Sequence, residues 1–160
     1  MQFLKPCCQL LSEKNLTIAF AESATAGRVC ADFALIPGIG SALIGGVVCY
    51  DQSVKENLLQ VPKAILNQYS AESRQASQAI AAGLRNVMPA DIAVGVTGLT
   101  APGGSYGPGK PIGSMFICVN IKGEDHFHED VFYGAPEEII EQTVTAVAKL
   151  LADKLSTFEV

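Results

Sequence analysis

Two hydroxyl side chains lie just beyond the ends of apolar runs of this chain, at points where the backbone has to turn. Ser23 follows the run at residues 16–21, and Thr97 follows the run at residues 91–96. Short, continuously apolar runs are typical of strands that are covered on both faces. If the two strands are parallel, both hydroxyls lie at the same edge of the sheet, which is where ligands collect in α/β proteins. The spacing therefore indicates a site that contains Ser23 and Thr97.

Ser23 is the first candidate for a nucleophile, because a helical segment follows it. A helix N-terminus offers unpaired N–H groups and a dipole that favours negative charge, such as the charge that develops during acyl transfer. The alternative is that Ser23 or Thr25 only caps this helix, a role that these residue types often fill. The residues alone leave both interpretations open.

A nucleophilic serine needs a base, and the two histidines are poorly suited to that role. His126 and His128 lie two residues apart among acidic residues of a predicted hairpin, so both rings share one face of a strand. No cysteine or third histidine is placed to complete a metal site there, and the pattern favours a solvated hairpin without metal. Activation of Ser23 then falls to Tyr50 or Lys55. A lysine acts as a base only when it is neutral, which requires desolvation or a neighbouring positive charge. The alternative is that Lys55 is an exposed lysine on a helix and that Tyr50 is a half-buried residue at a strand end.

A long loop follows Thr97. Residues 97–113 contain six glycines and three prolines among 17 positions, which is typical of a binding loop. Residues 104–110 fit the spacing GxxxxGK, but Pro111 stands where a nucleotide-triphosphate loop needs Ser or Thr and a helix. Loop amides and Lys110 could still hold a phosphate; the alternative is a flexible, solvated loop.

Composition narrows the classes of protein. The chain has 160 residues, enough for one domain, and a net charge of −5 with no cluster of basic residues, which argues against nucleic-acid and membrane partners. No apolar run reaches membrane-spanning length. Five cysteines without CxxC spacing favour reduced thiols and therefore the cytoplasm.

Hydrophobic periodicity and turn residues place these positions on an α/β fold. The first strand is expected at the centre of the sheet. In chain order the pattern predicts a helix at 3–14, strands at 16–21 and 42–50 around a helix at 25–35, a short helix capped by Asp51 or Ser53, another starting at Pro62, a longer helix capped by Ser70, a strand at 91–96, a hairpin pairing 112–121 with 127–133, and a final helix from about residue 136.

These segments together resemble the CinA carboxy-terminal domain family, which includes nicotinamide-nucleotide amidases. The matching stretches are Ala21-Glu22-Ser23 through Gly27, Pro37-Gly38, residues 45–48 with Tyr50 and Lys55, Leu59 with Val61-Pro62, residues 93–98, residues 102–104 and residues 110–113. The resemblance implies one domain over residues 1–160, with a three-layer α/β/α architecture and a mixed, mainly parallel sheet. It also implies hydrolysis of nicotinamide mononucleotide, or a related pyridine nucleotide amide, to the acid and ammonia without a cofactor. A homo-oligomer is expected.

Carried over by position, the resemblance implies the catalytic residues Ser23, Tyr50, Lys55 and Thr97. It implies a substrate-binding set of Glu22, Thr25, Gly27, Gly46, Gly98, Gly103, Gly104 and Lys110. The chain differs from the family pattern at Ala24, Ala26 and Ala101, and it has Pro136 and Ile140 where the family commonly has arginines. The alternative function is therefore a catalytically silent paralogue that keeps the pocket for binding or regulation.

Overall fold

The computed structural model describes residues 2–159, which form a five-stranded sheet with helices on both faces. In chain order the elements are α1 (Leu4–Glu13), β1 (Ile18–Glu22), α2 (Arg28–Ala34), a 3₁₀ turn (Ile39–Ser41), β2 (Leu43–Val48), α3 (Gln52–Asn57), α4 (Lys63–Tyr69), α5 (Arg74–Val87), β3 (Ile92–Gly98), β4 (Ser114–Ile121), β5 (Glu124–Val131) and α6 (Pro136–Thr157). The predicted α/β class is confirmed.

The strand order is β2-β1-β3-β4-β5. Strand β1 pairs in parallel with β2 and β3, whereas β4 is antiparallel to both of its neighbours, so four of the five strands point the same way. The carboxyl ends of β1 and β3 therefore meet at one edge of the sheet, because Glu22 pairs with Val96. This register confirms that the turns after the first and third strands are neighbours.

Alternation along the buried strands assigns their side chains to two cores. Ile18 and Phe20 face the layer of α1, α2 and α6, whereas Ala19 and Ala21 face the layer of α5. Small residues on the second face let α5 approach closely: a Cβ built on Gly95 would lie 2.1 Å from the carbonyl oxygen of Ser77. A helix on each face makes the three-layer α/β/α architecture.

Most element predictions are confirmed, including the existence of the hairpin, but its second strand covers Glu124–Val131 rather than residues 127–133. The turn has only the two residues Lys122 and Gly123, and both have positive φ, as a two-residue turn between twisted strands requires. Two helix starts were wrong. The side chain of Ser73, not Ser70, accepts the N–H of Ala76 and caps α5. Helix α2 begins at Arg28 rather than residue 25.

Strand β1 is an interior strand, but β3 occupies the middle of the sheet. The expectation that the first strand lies at the centre was therefore inexact. Strand β1 is covered on both faces, but it lies next to the edge strand β2. Within the described residues, no helix combines the length and the hydropathy needed to cross a bilayer.

Candidate active site

The turn after β1 is built on the carboxylate of Glu22, which is only 1% exposed. Its oxygens accept hydrogen bonds from the Thr25 hydroxyl at 2.6 Å and from the N–H groups of Gly27, Val29 and Cys30 at 2.8–3.1 Å. A carboxylate at a helix N-terminus satisfies N–H groups that have no partner within the helix. Glu22 thus anchors the start of α2 and fixes the backbone on both sides of Ser23.

This anchoring explains the shape of the turn at Ser23. Ala26 and Gly27 both adopt positive φ, +49° and +94°, so that the amides of Gly27, Val29 and Cys30 converge on Glu22. The N–H of Ala26 donates to the carbonyl oxygen of Ser23. Among residues 2–159, the N–H groups of Ala24 and Thr25 have no acceptor.

Ser23 lies beside Thr97 at the edge of the sheet. The Ser23 N–H donates to the carbonyl oxygen of Val96 at 2.9 Å and extends the β1–β3 ladder by one step. The Thr97 hydroxyl, buried, donates to the carbonyl oxygen of Ala71 at 2.8 Å. The register thus brings positions 23 and 97 together at this edge, with the Thr97 hydroxyl bound to the segment before α5.

Lys55 is buried against this turn. Its side chain comes from α3, which begins after Asp51, whose carboxylate caps the helix by accepting the N–H of Ser53. The Lys55 amine nitrogen is 2.9 Å from the Ser23 hydroxyl oxygen, 2.7 Å from the carbonyl oxygen of Cys49 and 3.2 Å from that of Tyr50. Within the described residues Lys55 forms no ion pair with a carboxylate, although the residue is 2% exposed.

Burial is the main influence on the charge of Lys55. It lowers the pKa of the amine, and the carboxylates of Glu72 and Asp51 oppose this effect only in part. The Lys55 amine donates to three acceptors, the carbonyl oxygens of Cys49 and Tyr50 and the Ser23 hydroxyl oxygen, which use the three N–H donors of a protonated lysine. A neutral amine has two N–H donors and one lone pair. When Lys55 is neutral, the two carbonyls can keep the two donors while the lone pair accepts from the Ser23 hydroxyl, so the same contacts suit proton transfer from Ser23 to Lys55.

The Tyr50 side chain does not share this arrangement. The residue is 68% exposed, and only its backbone carbonyl contacts the Lys55 amine. Tyr50 was expected to activate Ser23 together with Lys55. In this structure its side chain stands at the rim of the site.

The predicted substrate-binding glycines occupy two kinds of position. Gly27, Gly46 and Gly98 lie where the chain is tightly packed: a Cβ on Gly98 would lie 2.4 Å from the carbonyl oxygen of Ser114, and one on Gly46 would lie 3.3 Å from the Cys30 side chain. Gly103 and Gly104 lie in the loop. Gly103 has open space around it, whereas Gly104 faces the carboxylate of Glu72.

The loop is fastened to the segment that precedes α5, a feature that the sequence did not indicate. Lys110 donates to the Ser70 hydroxyl at 2.7 Å and to the carbonyl oxygen of Glu72 at 2.5 Å. The Ser105 hydroxyl and N–H both donate to the Glu72 carboxylate, at 2.6 and 3.1 Å. Lys110 is followed by Pro111 and a turn into β4, so the GxxxxGK spacing does not open a helix here.

The positions of the two absent arginines lie at the start of α6. Pro136 is exposed as the first residue of that helix, and Ile140 is half-buried. Sequence reasoning overlooked Arg28, which lies nearby at the start of α2. Its guanidinium binds both oxygens of Asp32 and lies 3.6 Å from Glu141 and 4.0 Å from Glu137. The hydrogen bond and charge of Asp32 raise the pKa of Arg28.

The two histidines lie on β5, each near an acidic neighbour on its own strand: His126 with Glu124 and His128 with Asp130. Within residues 2–159, no group of three His, Cys, Asp or Glu side chains is placed to hold a metal ion. All five cysteines are free thiols, as expected from their spacing.

The fold and this geometry define a three-layer α/β/α domain that holds a serine and a buried lysine at the carboxyl edge of parallel strands. Residues 2–155 match the family model of the CinA C-terminal domain, so the chain belongs to that family. The resemblance inferred from the sequence is confirmed.

Relatives and solved structures agree with this assignment. The chain is 39% identical over 142 residues to a competence-damage inducible protein of Desulforamulus reducens, covering 89% of this chain and 34% of the relative. It is 36% identical over 131 residues to a CinA-like protein of Syntrophotalea carbinolica, covering 82% of this chain and 32% of the relative. The chain therefore spans about a third of the length of these curated relatives.

Among solved structures, a CinA superfamily protein from Klebsiella pneumoniae superposes with a TM-score of 0.92 at 26% identity, with 98% of each chain covered. The competence/damage inducible protein CihA from Agrobacterium tumefaciens gives a TM-score of 0.89 at 27% identity, covering 98% of this chain and 94% of that chain. The similarity to these structures thus extends over nearly the whole of this chain.

Proposed function

We propose that this chain is an amidohydrolase that converts nicotinamide mononucleotide, or a related pyridine nucleotide amide, to the corresponding acid and ammonia. Ser23 is the nucleophile and Lys55 is its base. The observation that carries the proposal is the 2.9 Å contact between the Lys55 amine and the Ser23 hydroxyl, made by a buried lysine that has no carboxylate partner among the described residues. A lysine that served only to balance charge would be expected to face an acid.

The proposed reaction has two steps. Lys55 takes the proton of the Ser23 hydroxyl as the serine oxygen bonds to the carboxamide carbon, and the same proton passes to the leaving nitrogen as the carbon–nitrogen bond breaks and ammonia departs. A water molecule then attacks the resulting ester, and Lys55 accepts a proton from it. The bond between the acyl carbon and the Ser23 oxygen breaks as Lys55 passes that proton to the serine oxygen, which releases the carboxylic acid and regenerates the Ser23 hydroxyl.

The free N–H groups of Ala24 and Thr25 are the proposed oxyanion donors. The N–H groups of Ala26 and Gly27 already donate to Ser23 and Glu22. Of residues 24–27, Ala24 and Thr25 therefore retain N–H groups without an acceptor among the described residues. Because Glu22 holds the turn rigidly, the two donors need no rearrangement when negative charge develops on the amide oxygen. Thr97, beside Ser23, is proposed to line the same site.

The substrate is proposed from the family resemblance. Lys110 and the amides near Gly103 and Gly104 are the candidates for the phosphate, and Glu22, Thr25 and Gly27 act by shaping the turn. We further propose a cytoplasmic location, which the free cysteines support, and self-association into a homo-oligomer.

Ammonia release tests the proposal. The purified chain would be incubated with nicotinamide mononucleotide, nicotinamide riboside, oxidised nicotinamide adenine dinucleotide or free nicotinamide. Ammonia and the acid product would be measured in the same samples. We expect equimolar ammonia and acid from at least one nucleotide. Absence of both products across the panel would refute the enzymatic proposal.

A catalytically silent paralogue is the second candidate, and Pro136 and Ile140 favour it. A fork of arginines that binds a phosphate is not replaced by apolar side chains, and a lost charged hydrogen bond typically costs about 1.5–3 kcal/mol. Calorimetric titration with the same panel separates the two functions. Saturable binding of a nucleotide without any turnover would establish the silent paralogue.

A further inference from the structure

Ser70, the residue that follows α4, has a backbone conformation that normally belongs to glycine. Its φ is +74° and its ψ is 166°. In this region the Cβ of an L-residue is crowded by the neighbouring backbone, so nearly all residues that adopt it are glycines. A residue held in such a conformation destabilises the fold, and residues of this kind cluster at functional sites, where the side chain has a task.

The Ser70 hydroxyl lies at the centre of a small group of hydrogen bonds. It accepts from the Lys110 amine nitrogen at 2.7 Å, and its own proton can go to the carbonyl oxygen of Glu72 at 3.1 Å or to the Ser105 hydroxyl at 3.2 Å. Lys110 and Ser105 belong to the loop at residues 99–113, whereas Ser70 belongs to the connection between α4 and α5. Glycine at position 70 would relieve the backbone but would remove all of these side-chain contacts.

Lys110 is held by groups that carry no charge. Besides the Ser70 hydroxyl, its amine donates to the carbonyl oxygen of Glu72 at 2.5 Å, and the ring centre of Phe116 lies 5.8 Å from the same nitrogen. Within residues 2–159 this half-buried lysine forms no ion pair with a carboxylate. A protonated lysine has three N–H donors, of which these hydrogen bonds use two. A fixed cation with one remaining donor is suited to bind an anion.

The segment that holds Lys110 is also bonded to the edge of the sheet that carries Ser23. The Thr97 hydroxyl donates at 2.8 Å to the carbonyl oxygen of Ala71, the residue after Ser70. Position 97 directly follows the residue whose carbonyl oxygen accepts the N–H of Ser23. The Ser70 hydroxyl therefore fixes Lys110 to a segment that is bonded to the end of β3, on the same edge as the proposed nucleophile.

We propose that Ser70 is a positioning residue for the anionic group of the substrate: its hydroxyl fixes the Lys110 amine beside the site, and serine is retained in a glycine conformation for this task. Ser70 acts through Lys110 rather than on the reacting atoms. The identity of the anion as a nucleotide phosphate rests on the proposed amidase function, whereas an anion site at Lys110 does not.

Two substitutions separate the backbone conformation from the hydroxyl contacts. Ser70→Gly and Ser70→Ala both remove the hydroxyl, but only glycine removes the crowding around Cβ. We expect Ser70→Gly to melt about 3 °C or more above Ser70→Ala, the reverse of the order at a position with ordinary φ. Equal melting temperatures, or a higher value for Ser70→Ala, would overturn the argument from conformation.

Acetylation by a limiting amount of acetic anhydride, followed by peptide mass spectrometry, tests the hold on Lys110 without any substrate. The Lys110 amine should react about threefold faster or more in both Ser70 variants than in the wild type, the effect of losing one hydrogen bond. Lys63, an exposed lysine that pairs with Glu56, is the internal reference and should react equally in all three proteins. An unchanged Lys110 rate would overturn the inference.

Calorimetric titration with nicotinamide mononucleotide tests what the hold does. Binding should weaken about tenfold in both Ser70 variants. In a Lys110→Met background, Ser70→Gly should weaken binding by less than about twofold further, because the lysine through which it acts is already absent. Asn15→Gly is the matched control. Asn15 also has positive φ, +52°, but it is exposed after α1, and glycine there should leave binding unchanged.

Inorganic phosphate, followed by its protection of Lys110 from acetylation, separates failure of this inference from failure of the proposed function. If the wild type binds phosphate but none of the nucleotides, and Ser70→Gly weakens phosphate binding, the anion site stands and the substrate assignment is refuted. If the Ser70 variants bind the mononucleotide as tightly as the wild type, the positioning role alone is refuted. A wild type that binds neither ligand would refute both.

Discussion

Replacing Glu22 by glutamine should destabilise the whole domain, because one buried carboxylate accepts four hydrogen bonds. Glutamine offers one acceptor oxygen, which in the position of Oε2 keeps the Thr25 hydroxyl and the N–H groups of Gly27 and Val29, while its NH₂ group then faces the N–H of Cys30. Losing the bond to Cys30 and leaving that N–H unpaired costs about 1.5–3 kcal/mol, and the lost charge at the start of α2 adds about 0.5–1 kcal/mol. We therefore expect a loss of about 2–4 kcal/mol in the free energy of unfolding.

The assay is urea unfolding followed by circular dichroism near neutral pH. A loss of this size corresponds to a fall in melting temperature on the order of 10 °C for a chain of this length. Glu13→Gln is the control, since Glu13 is exposed at the end of α1 and should change stability by less than about 0.5 kcal/mol. A loss below about 1 kcal/mol in Glu22→Gln would show that the carboxylate does not organise the turn as described.

Three further predictions follow from single positions. Ala26→Gly should raise the free energy of unfolding by up to about 1 kcal/mol in the same assay, because Ala26 has φ +49° and glycine adopts that conformation without steric cost; a lower stability would contradict this. Burial lowers the pKa of Lys55 in the folded state, so the unfolded chain binds this proton more tightly, and the stability of wild type relative to Lys55→Met should rise as the pH increases towards the ordinary lysine pKa. A stability difference between wild type and Lys55→Met that falls as the pH rises would contradict a lowered pKa of Lys55. Pro136→Arg should tighten calorimetric binding of nicotinamide mononucleotide about tenfold, the effect of one new charge-assisted contact worth about 1.4 kcal/mol, because the first turn of α6 is exposed and accepts either residue. If Pro136→Arg does not bind the mononucleotide more tightly than wild type, the phosphate does not lie near position 136.

The arrangement of strands could be predicted from local patterns, because each strand carries its own signal. The apolar runs before Ser23 and Thr97, together with the parallel-strand rule, were enough to predict that both hydroxyls share one edge. The approach of Lys55 to Ser23 could not be predicted in this way. The two residues are 32 positions apart, and the residues alone left Tyr50 and Lys55 as equal candidates for the base. The structure brings only the amine of Lys55 and the carbonyl of Tyr50 to the site.

Contacts between loops were hidden from the sequence for a similar reason. Glu72 and Ser105 lie 33 positions apart, and neither has a spacing that marks it as a partner of the other. The shift of the helix cap from Ser70 to Ser73 has a local cause, since Ser70 is held in a strained conformation that leaves Ser73 to begin α5. Glu22 did offer a signal: an acidic residue between a buried strand and a helix start is well placed to bind the free N–H groups of that helix.

The most direct measurement compares ammonia release by the wild type and by Ser23→Ala on the best substrate of the panel. Ser23 contributes its hydroxyl to the contact with Lys55, while its N–H continues the β1–β3 ladder, so alanine should leave the fold intact. The account predicts that ammonia release falls by about a thousandfold or more while the melting temperature changes little. Ser23→Ala protein that still releases ammonia at close to the wild-type rate would contradict the assignment of Ser23 as the nucleophile.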